Sequence, residues 1–300
     1  MIDIDAAVLN FAPGAFWLLN AVLAIVMFSV ALDIQPANFR AGLRAPKAFV
    51  TGLLSQFLVL PALTFLLVLV VQPRGSVALG LILVAACPGG NISNFITHRA
   101  GGNAALAISL TAFTTIGAIL LTPLNIAFWG SLYPPARDLL TTIYIDPVQV
   151  TLTVSLMLIV PLAAGMAVSH RLPAVSDKLR RPMQQLSMAI YLGFIVVALY
   201  ANWDFLLAFG PAIIPLVVVH NAIALSGGYL TATLAGLAPY DRRAISIETG
   251  IQNSGLGLAL IFSFFHGLGG MAIVAAFWGV WHAISGLTIA KVFARTEAAR

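Results

Sequence analysis

Cys87-Pro88-Gly89-Gly90-Asn91-Ile92-Ser93-Asn94 interrupts an otherwise apolar stretch that runs from about residue 76 to 97. Proline removes a backbone donor and clashes with the preceding helical turn, and paired glycines lower the cost of leaving helical geometry. A second interruption, Glu248-Thr249-Gly250-Ile251-Gln252-Asn253-Ser254-Gly255, sits in the apolar stretch 244–265. It puts a carboxylate, two amides and two hydroxyls among two glycines. Each stretch therefore reads as a helix broken in its middle by polar, unwound chain.

The solvent around these stretches follows from composition. Hydrophobic residues make up 60% of the 300-residue chain and charged residues only 8%. A water-facing domain needs ~25–35% charged residues on its surface, so the chain cannot cover itself in water and must face lipid. In hydrocarbon each unsatisfied backbone group costs several kcal/mol, so unwound chain is tolerated only inside protein or along a watery cavity. The single Cys87 excludes an internal disulfide framework and a Cys-rich metal site. The net charge of +5 is not a nucleic-acid signal, because the charges lie between apolar segments. The start of the chain carries Asp3 and Asp5 and no basic residue before Arg40, unlike a signal or transit peptide.

A spanning helix needs about 20 mostly apolar residues. Nine segments qualify, near 14–32, 48–71, 76–97, 104–130, 147–169, 183–202, 208–236, 244–265 and 269–290. The expectation is an all-α integral membrane protein with nine transmembrane helices, forming one transport domain over residues 1–300. Loop charge sets the orientation. Alternate connections hold 13 of the 15 Lys and Arg residues, and the opposite set holds only Arg74 and Arg137. The C-terminus is thus expected in the cytoplasm and the N-terminus outside, in a multi-pass cell-membrane protein, with the bacterial inner membrane the expected one. Trp17, Trp129, Trp203 and Trp278 fall near segment ends, where interfacial aromatics are expected.

With the fifth segment set aside, the first four match the last four in order and in inverted orientation. The repeats would cover about 14–130 and 147–290, and the third member of each is the interrupted one. Interrupted spans at matching positions of inverted repeats point to a transporter binding site. Of the ten acidic residues only Glu248 lies inside a span, and an intramembrane carboxylate is a functional-site candidate. Snorkelling toward the interface is the plain alternative, since Arg243 is only five residues away. Otherwise its partner is a bound cation or a proton. Sodium, a hard cation suited to oxygen ligands, would be satisfied by this carboxylate with amide, hydroxyl and carbonyl oxygens.

Gln56, Ser109, Thr111, Thr114, Thr115 and Ser285 are further oxygen donors in spans, each expected to bond back to its own helix. His220 beside Asn221, and His282, are intramembrane polar groups; each His is expected simply to be hydrogen-bonded, with proton relay as the alternative.

These motifs resemble the bile acid:sodium symporter family. The likeness rests on Cys87-Pro88-Gly89-Gly90 with Ser93-Asn94, on Gly102-Asn103, on Glu248 with Gly250 and Gln252-Asn253-Ser254-Gly255, and on Trp281-His282 with Ile284-Ser285-Gly286. It covers nearly the whole chain. The resemblance implies a panel of the first, fifth and sixth segments beside a core of the other six, with the two interrupted helices crossing in the core. Members commonly have ten helices, so it also implies that the first is missing here. It implies one sodium site from Ser93, Asn94, Thr111 and Glu248. A second would use Gln56, Glu248, Gln252 and the carbonyls of Thr249 and Ile251. Substrate would meet Asn91, Asn253 and His282 near the crossing. The chain differs from the family pattern at Ala107, where relatives carry a Ser that helps the first sodium site, at Asn91, where Thr is common, and at Ala283, often Asn.

The function expected is sodium-coupled symport of an organic anion by alternating access, with no cofactor besides the coupling ions, no nucleic acid partner and a bilayer as surroundings. The alternative is a proton-coupled carrier or exporter using Glu248 and His282. An intramembrane enzyme is disfavoured, since no His-Glu-x-x-His motif or paired membrane Asp is present and Ser254 has no base at a recognisable spacing. A passive channel lacks a ring of like side chains.

Overall fold

A computed structural model describes residues 4–5, 15–33, 44–90, 92–142, 147–201 and 203–298. Among these residues the fold is all helix, with no named strand. The helices are α1 (Ala15–Asp33), α2 (Pro46–Val71), α3 (Gly75–Ala86), α4 (Ile92–Arg99), α5 (Ala104–Leu132) and α6 (Pro134–Thr142). They continue with α7 (Pro147–Arg171), α8 (Pro173–Ala201), α9 (Trp203–Leu234), α10 (Pro239–Gly250), α11 (Ser254–Phe264) and α12 (Gly269–Ala298).

Helix lies on every one of the nine expected segments, and the two segments expected to be broken are each split into two short helices. Among the described residues, four helices are long and apolar enough to cross a membrane: α2, α5, α9 and Gly269–Arg295 of α12. The halves α3 and α11 are apolar but only 12 and 11 residues long. At 1.5 Å per residue they reach ~16–18 Å, about half of a ~30 Å hydrocarbon core. All twelve residues of α3 are buried, so it is enclosed by other helices on every side. Its neighbours include α2, α5 and α12.

Helix α1 packs against α7 and α8, the three segments grouped as a panel. Ala31, Ala112 and Leu162 form a small buried cluster that joins α1 and α7 to α5. The large core lies around α3, α11 and α12, with Leu79, Leu83, Leu258, Ile261, Val274 and Trp278 among its members.

Four features depart from the expectation. Helix α8 starts at Pro173, ten residues before the expected 183, so Lys178, Arg180 and Arg181 lie on helix rather than in a connection. Proline suits a first turn, where its missing N–H is not needed, and this polar first third extends the apolar part. Helix α6 occupies what reads as a connection; the Tyr133 hydroxyl just before it donates to the Pro73 carbonyl at 2.7 Å, tying it beside the start of α3. A π-helical turn spans Ser55–Val59 inside α2, where the Leu60 amide reaches back to the Ser55 carbonyl. Pro61, lacking an N–H, relaxes the helical register there. Finally, Trp278 is fully buried against His220, with ring centroids 4.7 Å apart, rather than interfacial.

Candidate functional site

The two interruptions bond to each other. The Gly90 amide donates to the Ile251 carbonyl at 2.8 Å and the Asn253 amide to the Pro88 carbonyl at 2.9 Å, an antiparallel bridge between Gly89 and Gln252. The unwound residues thus satisfy one another by a two-bond crossing.

The remaining freed carbonyls are taken by side chains. Thr122 on α5 donates to Ala86 O at 2.6 Å, and Gln56 Nε2 on α2 donates to Cys87 O at 2.7 Å. Gln252 Nε2 donates to Thr249 O at 2.6 Å, and Asn221 Nδ2 on α9 to Gly250 O at 2.8 Å. Residues 86–88 and 249–251 therefore have no carbonyl left unpaired. This accounting is what lets unwound chain sit among buried helices.

Gln56 Nε2 also donates to Gln252 Oε1 at 2.8 Å, and the return bond from Gln252 Nε2 to Gln56 Oε1 is 3.4 Å. The π-helical turn carries Gln56 to this position. The neighbouring Ser55 hydroxyl is bonded to that of Thr249 at 2.8 Å. Four of the five groups of the second expected sodium site, Gln56, Thr249, Ile251 and Gln252, are thus gathered and already hydrogen-bonded.

Glu248 lies beside this network, only 2% exposed. Its carboxylate accepts from Ser93 Oγ at 2.5 Å and from Thr111 Oγ1 at 2.8 Å. Snorkelling is therefore ruled out: the side chain points inward to α4 and α5. Thr111 Oγ1 is also 3.2 Å from Asn94 Oδ1 and 3.0 Å from Ala107 O. Three acceptor oxygens surround one hydroxyl, which has a single hydrogen to give. The hydroxyl serves one of those oxygens at a time, and either a cation or a proton on the Glu248 carboxyl would relieve the others.

The first expected sodium set, Ser93, Asn94, Thr111 and Glu248, is thus brought together from three helices. Ser109, near Ala107, bonds back to its own helix as expected, its hydroxyl donating to Ala105 O at 2.7 Å. Thr114, Thr115 and Ser285 bond back to their own helices as expected, whereas Gln56, expected to do the same, instead bonds Cys87 O and Gln252 across the crossing.

Gly89 supplies the room. A Cβ there would lie 2.6 Å from Glu248 Cδ and overlap Oε1, so only glycine lets the carboxylate sit against this backbone.

Among the expected substrate contacts, Asn91 lies outside the described residues. Asn253 caps α11, its Oδ1 accepting from the Leu256 amide at 3.0 Å. His282 on α12 is buried, and its Nδ1 has no partner among the described residues. His220 differs. Its Nε2 is hydrogen-bonded to the Thr64 hydroxyl at 2.7 Å and its ring packs against Trp278, although its Nδ1, like that of His282, has no partner among the described residues.

Ser55, Thr122 and Asn221 were not foreseen as parts of the site. Only Asn221 left a trace in the sequence, as an amide inside an apolar span.

The Sodium Bile acid symporter family matches residues 20–209, more than half of the chain. The chain belongs to this family. A Bacillus subtilis relative, the uncharacterized sodium-dependent transporter YocS, is 30% identical over 96% of the chain and 88% of its own length. That alignment extends the likeness through the second interruption, which the family match does not reach. The Arabidopsis thaliana probable sodium/metabolite cotransporter BASS1 is 29% identical over 91% of the chain and 66% of its own length. Human P3 protein is 32% identical over 82% of the chain, which spans half of that relative. Family membership makes the protein a multi-pass membrane transporter and not an enzyme.

Proposed function

We propose that this protein is a sodium-coupled symporter that carries a small organic anion by alternating access. The observation that carries the reading is the oxygen cluster at Thr111, where Asn94, Glu248 and the Ala107 carbonyl converge on one hydroxyl hydrogen. A small hard cation there would neutralise the buried carboxylate and fill the acceptor surplus. The relatives' printed names agree: YocS and BASS1 carry sodium in theirs, and a mouse relative, 30% identical over 82% of this chain, is named sodium-dependent organic anion transporter.

In this reading Ser93, Asn94, Thr111 and Glu248 take the first sodium. Gln56, Gln252, Glu248 and the carbonyls of Thr249 and Ile251 take the second, which must first loosen the Gln56–Gln252 bonds. The substrate anion lies by the crossing. His282, with a buried nitrogen lacking a partner, and the side-chain nitrogen of Asn253 are the contacts, together with Asn91. Nine spans then cross the cell membrane with the N-terminus outside, and α1–α5 and α8–α12 form inverted repeats. The half-length helices α3 and α11 support this, since each has one end at the crossing of the two interruptions. The panel of α1, α7 and α8 stays in place while the core moves against it, opening the site to each side in turn.

A thermal-shift screen of organic anions on the purified protein, with sodium or potassium chloride, tests the reading. Stabilisation by sodium alone, increased further by one class of anion, is expected. Equal stabilisation by both salts, with a response to pH instead, would favour proton coupling through Glu248 and His282.

Thr111→Val keeps the shape and removes the hydroxyl. It is expected to raise the half-saturating sodium concentration about tenfold, the size of one lost bond to a charged group, measured by the same sodium titration. An unchanged titration would remove Thr111 from the site.

A further inference from the structure

Helix α10 is hydrogen-bonded to α4 and to the turn that follows it at two points. At the crossing, Glu248 of α10 accepts from Ser93, at the start of α4. Five residues earlier, ~7.5 Å back along the helix, Arg243 reaches the other end of α4. Its Nη1 donates to Ala100 O at 3.1 Å and to Gly101 O at 3.3 Å, and its guanidinium lies over the Phe293 ring of α12 at 5.9 Å. The residue is only 8% exposed, a buried charge held by carbonyls at a helix C-terminus, where a cation is favoured.

The same turn is stitched to α10 twice more. The Asn103 amide donates to Tyr240 O at 3.0 Å, and Asn103 Nδ2 donates to Asp241 Oδ1 at 2.8 Å. Asn103 Oδ1 meanwhile caps α5 through the Leu106 amide. Gly101, at φ +63°, turns the chain so that the Ala100 and Gly101 carbonyls both face Arg243. None of these groups lies in either sodium set.

We propose that Arg243 is a positioning residue for sodium: by gripping the far end of α4 it fixes that helix's register on α10 and so holds Ser93 and Asn94 against Glu248. The inference rests on the sodium reading above. Helix α4 is eight residues long, and beside these bonds its Ile96 lies in a small buried cluster with Ile247 and Ile251. With the grip gone, α4 slides along α10, and the oxygens of the first site separate. The turn at 100–103 is the lever, and Asn103 with Asp241 is its second fastening.

The sign of the effect separates this role from a direct electrostatic one. Taking a positive charge away from the neighbourhood of Glu248 would, by Coulomb attraction alone, tighten cation binding. A lost grip weakens it. The experiment titrates sodium chloride, at constant ionic strength with choline chloride, against the melting temperature of purified wild type, Arg243→Ala and Arg243→Lys. Wild type is expected to be stabilised by sodium. Arg243→Ala should raise the half-saturating sodium concentration about tenfold, as for one lost charge-assisted bond. Arg243→Lys keeps the charge and loses the planar guanidinium over Phe293, and should fall between the two. An unchanged or lowered value in either variant overturns the inference while leaving the sodium reading intact. Wild type without a sodium response overturns both. If Arg243→Ala does not fold, Arg243→Lys decides alone.

Discussion

Glu248→Ala is expected to abolish sodium-dependent stabilisation and sodium-driven uptake while the protein still inserts and folds. The carboxylate is 2% exposed and holds two hydroxyls, Ser93 at 2.5 Å and Thr111 at 2.8 Å. It is shared by both proposed sodium sites, so its loss removes the only negative charge from each. The fold should survive because the crossing is held by backbone bonds and by side-chain bonds from Gln56, Thr122 and Asn221 that do not end on Glu248. Bonds to charged groups are worth ~1.5–3 kcal/mol each, but here the carboxylate's own desolvation offsets part of that, so the net cost to stability is modest. Full sodium-driven uptake by Glu248→Ala would refute the assignment.

Gly89→Ala is the second large effect. The added methyl group would overlap Glu248 Oε1, the oxygen to which Thr111 donates. The carboxylate must swing away or the Gly89–Gln252 bridge must open. Either way sodium binding is lost, with at least about a hundredfold rise in half-saturating sodium, equivalent to ~2.7 kcal/mol. The Glu248→Asp, Gly89→Ala double variant has a carboxylate one methylene shorter. Partial recovery there would assign the loss to the overlap, whereas equal loss would assign it to the bridge.

Much of this site could be read from residue types alone. Proline, paired glycines and amides in the middle of apolar stretches mark the places where lipid-facing helix cannot continue, and Glu248 stands out as the only acid within a span. What joins the two breaks was not legible. That Gly90 bonds Ile251 and Pro88 bonds Asn253 depends on which carbonyls each unwound turn frees, and no spacing encodes it. Side chains that serve the crossing from elsewhere were harder still. Thr122 reads as one more helical threonine, and Ser55 gains its role only because a π-helical turn rotates it and Gln56 toward the crossing.

Helix ends followed polarity more loosely than the spans did. Helix α8 begins ten residues early because apolar patterning marks where lipid begins and not where helix begins. Trp278 reads as an interfacial anchor by type, yet it fills the space beside His220 at the centre of the bundle. The Arg243 grip was hidden for a similar reason. A basic residue at a segment edge reads as an orientation signal, and only the fold turns its side chain onto the Ala100 and Gly101 carbonyls.

The most direct measurement is equilibrium binding of radioactive sodium to the purified protein, with Glu248→Ala alongside. Saturable binding that unlabelled sodium displaces and potassium does not, and that vanishes in the variant, is the predicted result. Binding that is absent from the wild type, or that persists undiminished without the carboxylate, would contradict the account.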